Sequence, residues 1–341
     1  MAYDKYVSSF RPFHLLLNHH EGEKSLEIQQ TSQMLGKLNH RGNTWRLIKK
    51  NKYFYLFMLP SIVLTIIFSY LPMPGILAAF KDYNMIKGLG ASPWAGLKHI
   101  QNIFILPQLT QAIFNTVKLS LLSLLVEFPA PIILALLMNE LKHKLFKRTV
   151  QTISYLPHFL SWISVVGLAY SMLALYGPIN DLKLMLFGQD AERTMFLAEQ
   201  NLFIPIVLLL GIWKNVGWGT IVYLASITSI DPQLYEAATI DGAGKFKQLI
   251  YITLPALKQT MVILLIFQLG GLFKSNFELI YGLQNAYIDF DVISTVVYVS
   301  GIQQGNYSMA AAVGFVEGLV AFALTLAANK VSKKLADIGI W

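Results

Sequence analysis

Residues Phe54 to Phe80 read FYLFMLPSIVLTIIFSYLPMPGILAAF, a run without one charged side chain. A helix needs about 20 predominantly apolar residues to cross a hydrocarbon core roughly 30 Å thick, so this run predicts a membrane crossing. Pro60, Pro72 and Pro74 predict kinks in it, with neighbouring groups taking up the freed backbone carbonyls. Working outward, comparable runs recur at Ala112 to Met138, Pro157 to Leu175, Leu202 to Thr228, Leu257 to Phe273 and Tyr307 to Ala328. Six crossings make the chain an all-α integral membrane protein; a membrane barrel would need period-two alternation, which these runs lack. Composition agrees, with 55% hydrophobic and 13% charged residues where a soluble domain carries about a quarter charged. The absence of cysteine removes disulfides, thiolate metal sites and thiol nucleophiles from consideration.

The net charge of +8 expresses sidedness rather than a nucleic-acid partner. Of the 27 Lys and Arg, 19 fall in the tail up to Lys52, the loop Lys142 to Arg148, the segment Asp231 to Lys258 and the end of the chain. These segments alternate with the crossings so as to share one face, which the positive-inside rule makes cytosolic, with both termini inside. The polar stretch 1–52 has too small an apolar cluster, Leu15 to Leu17, for a signal peptide and reads as a cytosolic tail. The organisation expected is therefore a tail at 1–52, a membrane domain at 53–335 and a short end at 336–341.

On the cytosolic face, Asp231-Pro232 reads as an N-cap followed by the first helical position. The helix should stop at Gly242, which tolerates a left-handed cap, and a second short helix should follow Gly244. Ala237 and Ala238 let another surface approach the backbone, Leu234 and Tyr235 offer apolar area, and Glu236 offers a charge. On these features alone a loop helix lying flat on the membrane fits as well as a docking element.

Glu236-Ala237-Ala238, then Gly242, then Ile252, Leu254 and Pro255 reproduce a spacing that resembles the EAA signature of bacterial binding-protein-dependent ABC permeases. Asp241-Gly242-Ala243 and Ile252-Thr253-Leu254-Pro255 extend the match. Further landmarks that look like carbohydrate permeases of the maltose type are Ala79 to Asn84, Asn115-Thr116, Tyr155-Leu156-Pro157, Trp213 to Gly217 and Ala328-Asn329-Lys330. Within that group the chain looks most like permeases for complex oligosaccharides. The resemblance implies a six-helix type I importer domain whose coupling loop, residues 229–257, docks into a cleft on a separate ATPase. It implies a bacterial plasma membrane complex of two permease subunits, two ATPase subunits and an extracellular or periplasmic solute-binding protein, importing an oligosaccharide. No phosphate loop occurs, because Thr239 stands where Gly244-Lys245 would need its first glycine and Thr31 does the same for Gly36-Lys37. ATP and magnesium are therefore expected on the partner ATPase, with no cofactor or catalytic site on this chain.

Ionisable residues at membrane depth are functional candidates by default. Lys118 sits toward the outer end of its crossing, where it can snorkel to the interface. Glu127 and Lys214 are either a structural ion pair or cavity groups, and Glu317 is similarly open. Asn215 and Trp218 share a helix face with Lys214 beside them, a mixture of amide, indole and ammonium suited to sugar. Gln268 and Ser275 lie seven apart on the next crossing, with Gly270-Gly271 admitting close packing. Were Lys214 to face the cavity, it would suit an acidic sugar such as a uronide. His158 reads as an interfacial residue at a helix start. The competing readings are an ion-coupled secondary transporter recruiting Glu127 or Glu317, an ABC permease for a non-sugar solute, and a membrane enzyme, for which no catalytic or metal constellation is visible.

Overall fold

The apolar runs that predict crossings become helices in the computed structural model, which describes residues 49–188, 190–273 and 276–336. The tail up to residue 48, Ser275 and the end from residue 337 lie outside the described residues. Among the described residues, β pairing is limited to one isolated bridge between Lys81 and Trp94. Five helical stretches are long and apolar enough to span a membrane: Lys52–Phe80, Pro107–Asn139, Gln200–Thr228, Lys245–Gly270 and Tyr307–Lys334. A sixth is a bent pair, Lys144–Phe159 and Trp162–Met172.

Two units are distinguished, with the boundary between Pro74 and Gly75. In the first, Lys52–Thr65 contains Pro60 and continues into a π turn, Ile66–Tyr70, closed by the Leu71 amide donating to Ile66 O at 2.8 Å. Its apolar side chains are exposed throughout, as in a helix solvated by lipid.

In the second unit Gln200–Thr228 is the central rod, packed on Pro129–Asn139, Lys144–Tyr155 and Leu254–Gly270. Its contact with Lys144–Tyr155 is backbone against backbone: a Cβ on Gly217 would lie 2.0 Å from Ser154 O. Pro129 interrupts the second crossing, because it has no N–H to donate and its ring crowds the carbonyl one turn back, and the helix restarts with that proline in its first turn. Three apolar clusters consolidate the bundle. Leu119, Val166, Phe203 and Leu279 belong to one; Ile103, Ala112, Val296 and Val313 to a second; and Met138, Tyr223, Ile227 and Leu257 to a third.

Two expected boundaries need correction. The run Pro157 to Leu175 is not one straight crossing but is bent by 105°. Pro157 opens a 3-10 turn over Leu156–Phe159, Leu160 and Ser161 are extended, and the Ser161 hydroxyl caps a new helix by accepting from Ser164 N at 3.2 Å. The crossing expected to begin at Leu257 continues a helix that starts earlier: from Lys245 the chain is helical to Gly270 through a π turn at Leu249–Thr253, and Ile252, Leu254 and Pro255 lie on that helix. The wider turn just ahead of Pro255 accommodates its ring and its missing N–H.

The landmark residues away from these breaks act as pins. Asn115 Nδ2 donates to Asp291 O at 2.8 Å, and Thr116 Oγ1 accepts from Ile293 N at 2.9 Å, tying Pro107–Val126 to the short helix Ile293–Val297. Asp82 accepts from Lys98 Nζ and pairs with His99 Nε2, each at 3.0 Å. The Lys98 hydrogen bond holds the Asp82 carboxyl below its ordinary value of 3.8.

Candidate functional site

Local rules build the first site, the turn after Gln200–Thr228. The Asp231 carboxylate accepts from Gln233 N at 2.9 Å, capping Pro232–Ile240, and Pro232 occupies the first turn where its lack of an N–H costs nothing. The helix ends as a Schellman motif, with Ala243 N donating to Ala238 O at 2.8 Å and Gly242 N to Thr239 O at 3.1 Å. That geometry requires a left-handed residue, and Gly242 has φ +76°. Glu236, Ala237, Asp241 and Gly242 are exposed, while Ala238, Ile252 and Leu254 are half-buried and Pro255 is exposed.

The back of this helix is fastened to the crossing that follows. Gln248 Nε2 donates to Thr239 Oγ1 at 2.9 Å and to Ala243 O at 3.2 Å, and the Tyr235 hydroxyl bonds Thr253 Oγ1 at 2.9 Å. Tyr235 is thus turned inward rather than outward as the sequence suggests, and Leu234 remains exposed. Beside the turn lies a groove of about 640 Å³ that includes Glu236, and at its edge Lys245 pairs with Glu140 at 3.5 Å.

A second site is a cavity of about 240 Å³ against Pro107–Val126, Gln200–Thr228 and Leu254–Gly270. Among the residues facing it are Ser123, Glu127, Trp162, Asn215 and Gln268. Glu127 fits because Gly211 lies across from it; a Cβ there would come within 2.4 Å of Oε1. Ser123 Oγ donates to the same Oε1 at 3.3 Å. Amides, a hydroxyl, a carboxylate and an indole in one cavity are suited to ligands rich in hydroxyl groups.

Lys214 does not face this cavity. It is 5% exposed, and its Nζ donates to His158 O at 2.7 Å and lies 5.0 Å from the Trp162 ring centre. The ion pair with Glu127, one of the two expectations for these residues, does not form, because the ammonium is engaged elsewhere. Trp218 is half-exposed and stacks on His158, with ring centres 4.7 Å apart and planes 4° from parallel. His158 also places Nδ1 3.3 Å from Asn215 Oδ1. Since that oxygen only accepts, Nδ1 carries the proton in this contact. His158 is thus the hub that joins Lys214, Asn215 and Trp218, a role that its place beside Pro157 does not announce. Glu317 is half-buried on Tyr307–Ala336 and outside the lining of this cavity. Lys118 is exposed and sits about 16 Å into its helix, which starts at Pro107 rather than Ala112. Among the described residues no group of three His, Asp or Glu side chains is placed to hold a metal ion.

The family model described as binding-protein-dependent transport system inner membrane component matches residues 127–335. The polygalacturonan/rhamnogalacturonan transport system permease protein YteP of Bacillus subtilis (strain 168) is 42% identical over 294 residues, 86% of this chain and 91% of that protein. Protein LplB of the same organism is 39% identical over 305 residues, 88% of this chain and 95% of its own. A crystal structure of a bacterial ABC transporter involved in the import of the acidic polysaccharide alginate matches with TM-score 0.78 and 40% identity, covering 86% of this chain and 99% of the other. The alginate transporter in complex with its alginate pentasaccharide-bound periplasmic protein matches at TM-score 0.79 and 39% identity, over 87% and 99% of the two chains.

Proposed function

Because this chain belongs to the family of binding-protein-dependent transport system inner membrane components, we propose that it is one permease half of an ATP-driven importer for acidic oligosaccharides. The observation that carries the reading is the Pro232–Ile240 helix, whose front, with Glu236 and Ala237, is bare while its back is bonded through Gln248 and Tyr235 to the crossing that lines the cavity. A separate ATPase pressing on that front would move the Gln268 wall through rigid elements, as alternating access requires. In this reading the turn and both termini are cytosolic, ATP and magnesium belong to two ATPase subunits, and a second permease subunit completes the pathway. A binding protein delivers the sugar outside the plasma membrane.

The acidic class is supported by the relatives near 40% identity, whose names refer to polygalacturonan, rhamnogalacturonan and alginate. Asn215 and Gln268 are the side chains through which this half would meet the sugar; Trp218, Lys214 and Ser275 lie close to them in sequence. The decisive experiment reconstitutes the chain with its ATPase, second permease and binding protein, and follows uptake of an oligogalacturonide. Uptake should require ATP and the ATPase. Glu236→Lys and Gly242→Asp should release the ATPase on co-purification while the permease stays folded in the membrane. Uptake driven by an ion gradient without the ATPase, or unimpaired ATPase retention by both variants, refutes the proposal.

A further inference from the structure

We propose that His158 is a positioning residue for acidic-sugar recognition: its Nδ1–H holds the Asn215 carbonyl, so that the Asn215 amide N–H₂ is presented to the cavity as the donor for a sugar carboxylate. The proposal rests on the cavity being the sugar path.

An asparagine amide has one accepting end and one donating end, and which of them a ligand meets depends on what occupies the other. Here the accepting end is taken by His158 at 3.3 Å, and Asn215 faces the cavity. The imidazole cannot easily swing away. Trp218 stacks on its face, and the His158 carbonyl is anchored by Lys214 Nζ at 2.7 Å. The same ammonium lies over Trp162, which also lines the cavity. The wall beside Asn215 is therefore an indole backed by a buried positive charge. Lys214 contributes to anion preference from behind that wall, without touching the ligand.

One helical turn away, Gly211 opens the space that the Glu127 carboxylate fills. Gly211 and Asn215 are about 6 Å apart along their helix, so the Glu127 carboxylate packed against Gly211 and the Asn215 amide meet the cavity at neighbouring levels. A hexuronate can place its carboxylate at the Asn215 N–H₂ and a hydroxyl at Glu127. A neutral sugar experiences no such polarity.

The test uses the reconstituted importer with its ATPase and binding protein, and compares an acidic and a neutral oligosaccharide of equal length. His158→Phe keeps a ring against Trp218 but removes the N–H; His158→Gln restores a donor without the ring. For His158→Phe the acidic-to-neutral ratio of kcat/KM should fall about tenfold, chiefly through KM, and His158→Gln should recover most of it. An unchanged ratio in His158→Phe, or an equal loss for both sugars in both variants with lowered folded yield, overturns the positioning role. Asn215→Leu and Gln268→Leu separate the two layers. If both leave transport of both sugars at the parent level, the cavity is not the sugar path and the reading beneath the proposal fails.

Discussion

Gly217→Ala should separate Gln200–Thr228 from Lys144–Tyr155 and disturb the His158 hub together with the fold. The new Cβ would lie 2.0 Å from Ser154 O, 2.3 Å from Ser154 C and 2.8 Å from Tyr155 N. All three are backbone atoms, so no rotamer change relieves the overlap. Restoring an ordinary contact of 3.4 Å opens the interface by about 1.4 Å. Overpacking of this kind costs about 1–3 kcal/mol, of which alanine's better helix propensity recovers up to roughly 1 kcal/mol. The same displacement stretches the 2.7 Å bond from Lys214 to His158 O beyond hydrogen-bonding range. A buried ammonium left without its acceptor adds about 1–3 kcal/mol, giving a net loss of roughly 1–6 kcal/mol. Thermal unfolding of the protein in nanodiscs, followed by intrinsic fluorescence, should show a midpoint lower by at least about 2 °C. Gly167→Ala is the control, because nothing lies within 4 Å of the Cβ it would add, and it should leave the midpoint unchanged or raised. Equal midpoints for the two variants, with full uptake by Gly217→Ala, would refute the backbone-contact argument.

Removing the fastenings of the Pro232–Ile240 helix should uncouple without unfolding. Gln248→Ala and Tyr235→Phe together delete three side-chain bonds. ATPase activity of the assembled complex should persist while its stimulation by substrate falls several-fold, and normal stimulation argues against a mechanical role for the clasp. Asp82 gives a pH prediction. Its folded value is lowered by Lys98, so the fastening contributes above the unfolded value and is lost as pH falls through the lower folded one. Hydrogen-exchange protection factors over residues 82–105, corrected for the intrinsic pH dependence of exchange, should match at pH 8 and 5 and fall only below about pH 4. In Asp82→Asn that fall should be absent; its persistence would assign it to other groups.

The crossings were legible because a membrane helix must satisfy its own backbone and face lipid, so each run such as Leu202 to Thr228 carries its signature within itself. The Asp231 cap and the Gly242 stop were legible for a similar reason: both are decided within about ten residues. The bend at Leu160-Ser161 was harder to see, since a single hydroxyl cap sits inside an apolar run whose hydropathy continues across it. The crossing expected from Leu257 has its helix running back to Lys245, because the π turn ahead of Pro255 carries the helix through the proline. The His158 hub joins residues more than 50 positions apart, and local pattern carries no trace of it. The placement of Lys214 depended on the same long-range contact. Its charge marked it as a cavity candidate, whereas a carbonyl exposed by the bend gave the ammonium a closer acceptor.

The uninterrupted helix from Lys245 to Gly270 makes the clasped turn one end of a lever. Gln268 stands about 35 Å along that helix from Lys245, at 1.5 Å per residue. Pivoted at its clasped foot by 10°, the arm would sweep Gln268 sideways by on the order of 6 Å, enough to open or close a passage the width of a sugar ring. Small strokes at the turn would thus be amplified at the cavity, and stiffness along the arm, including the π turn that Tyr235 braces, would set how much of each stroke arrives.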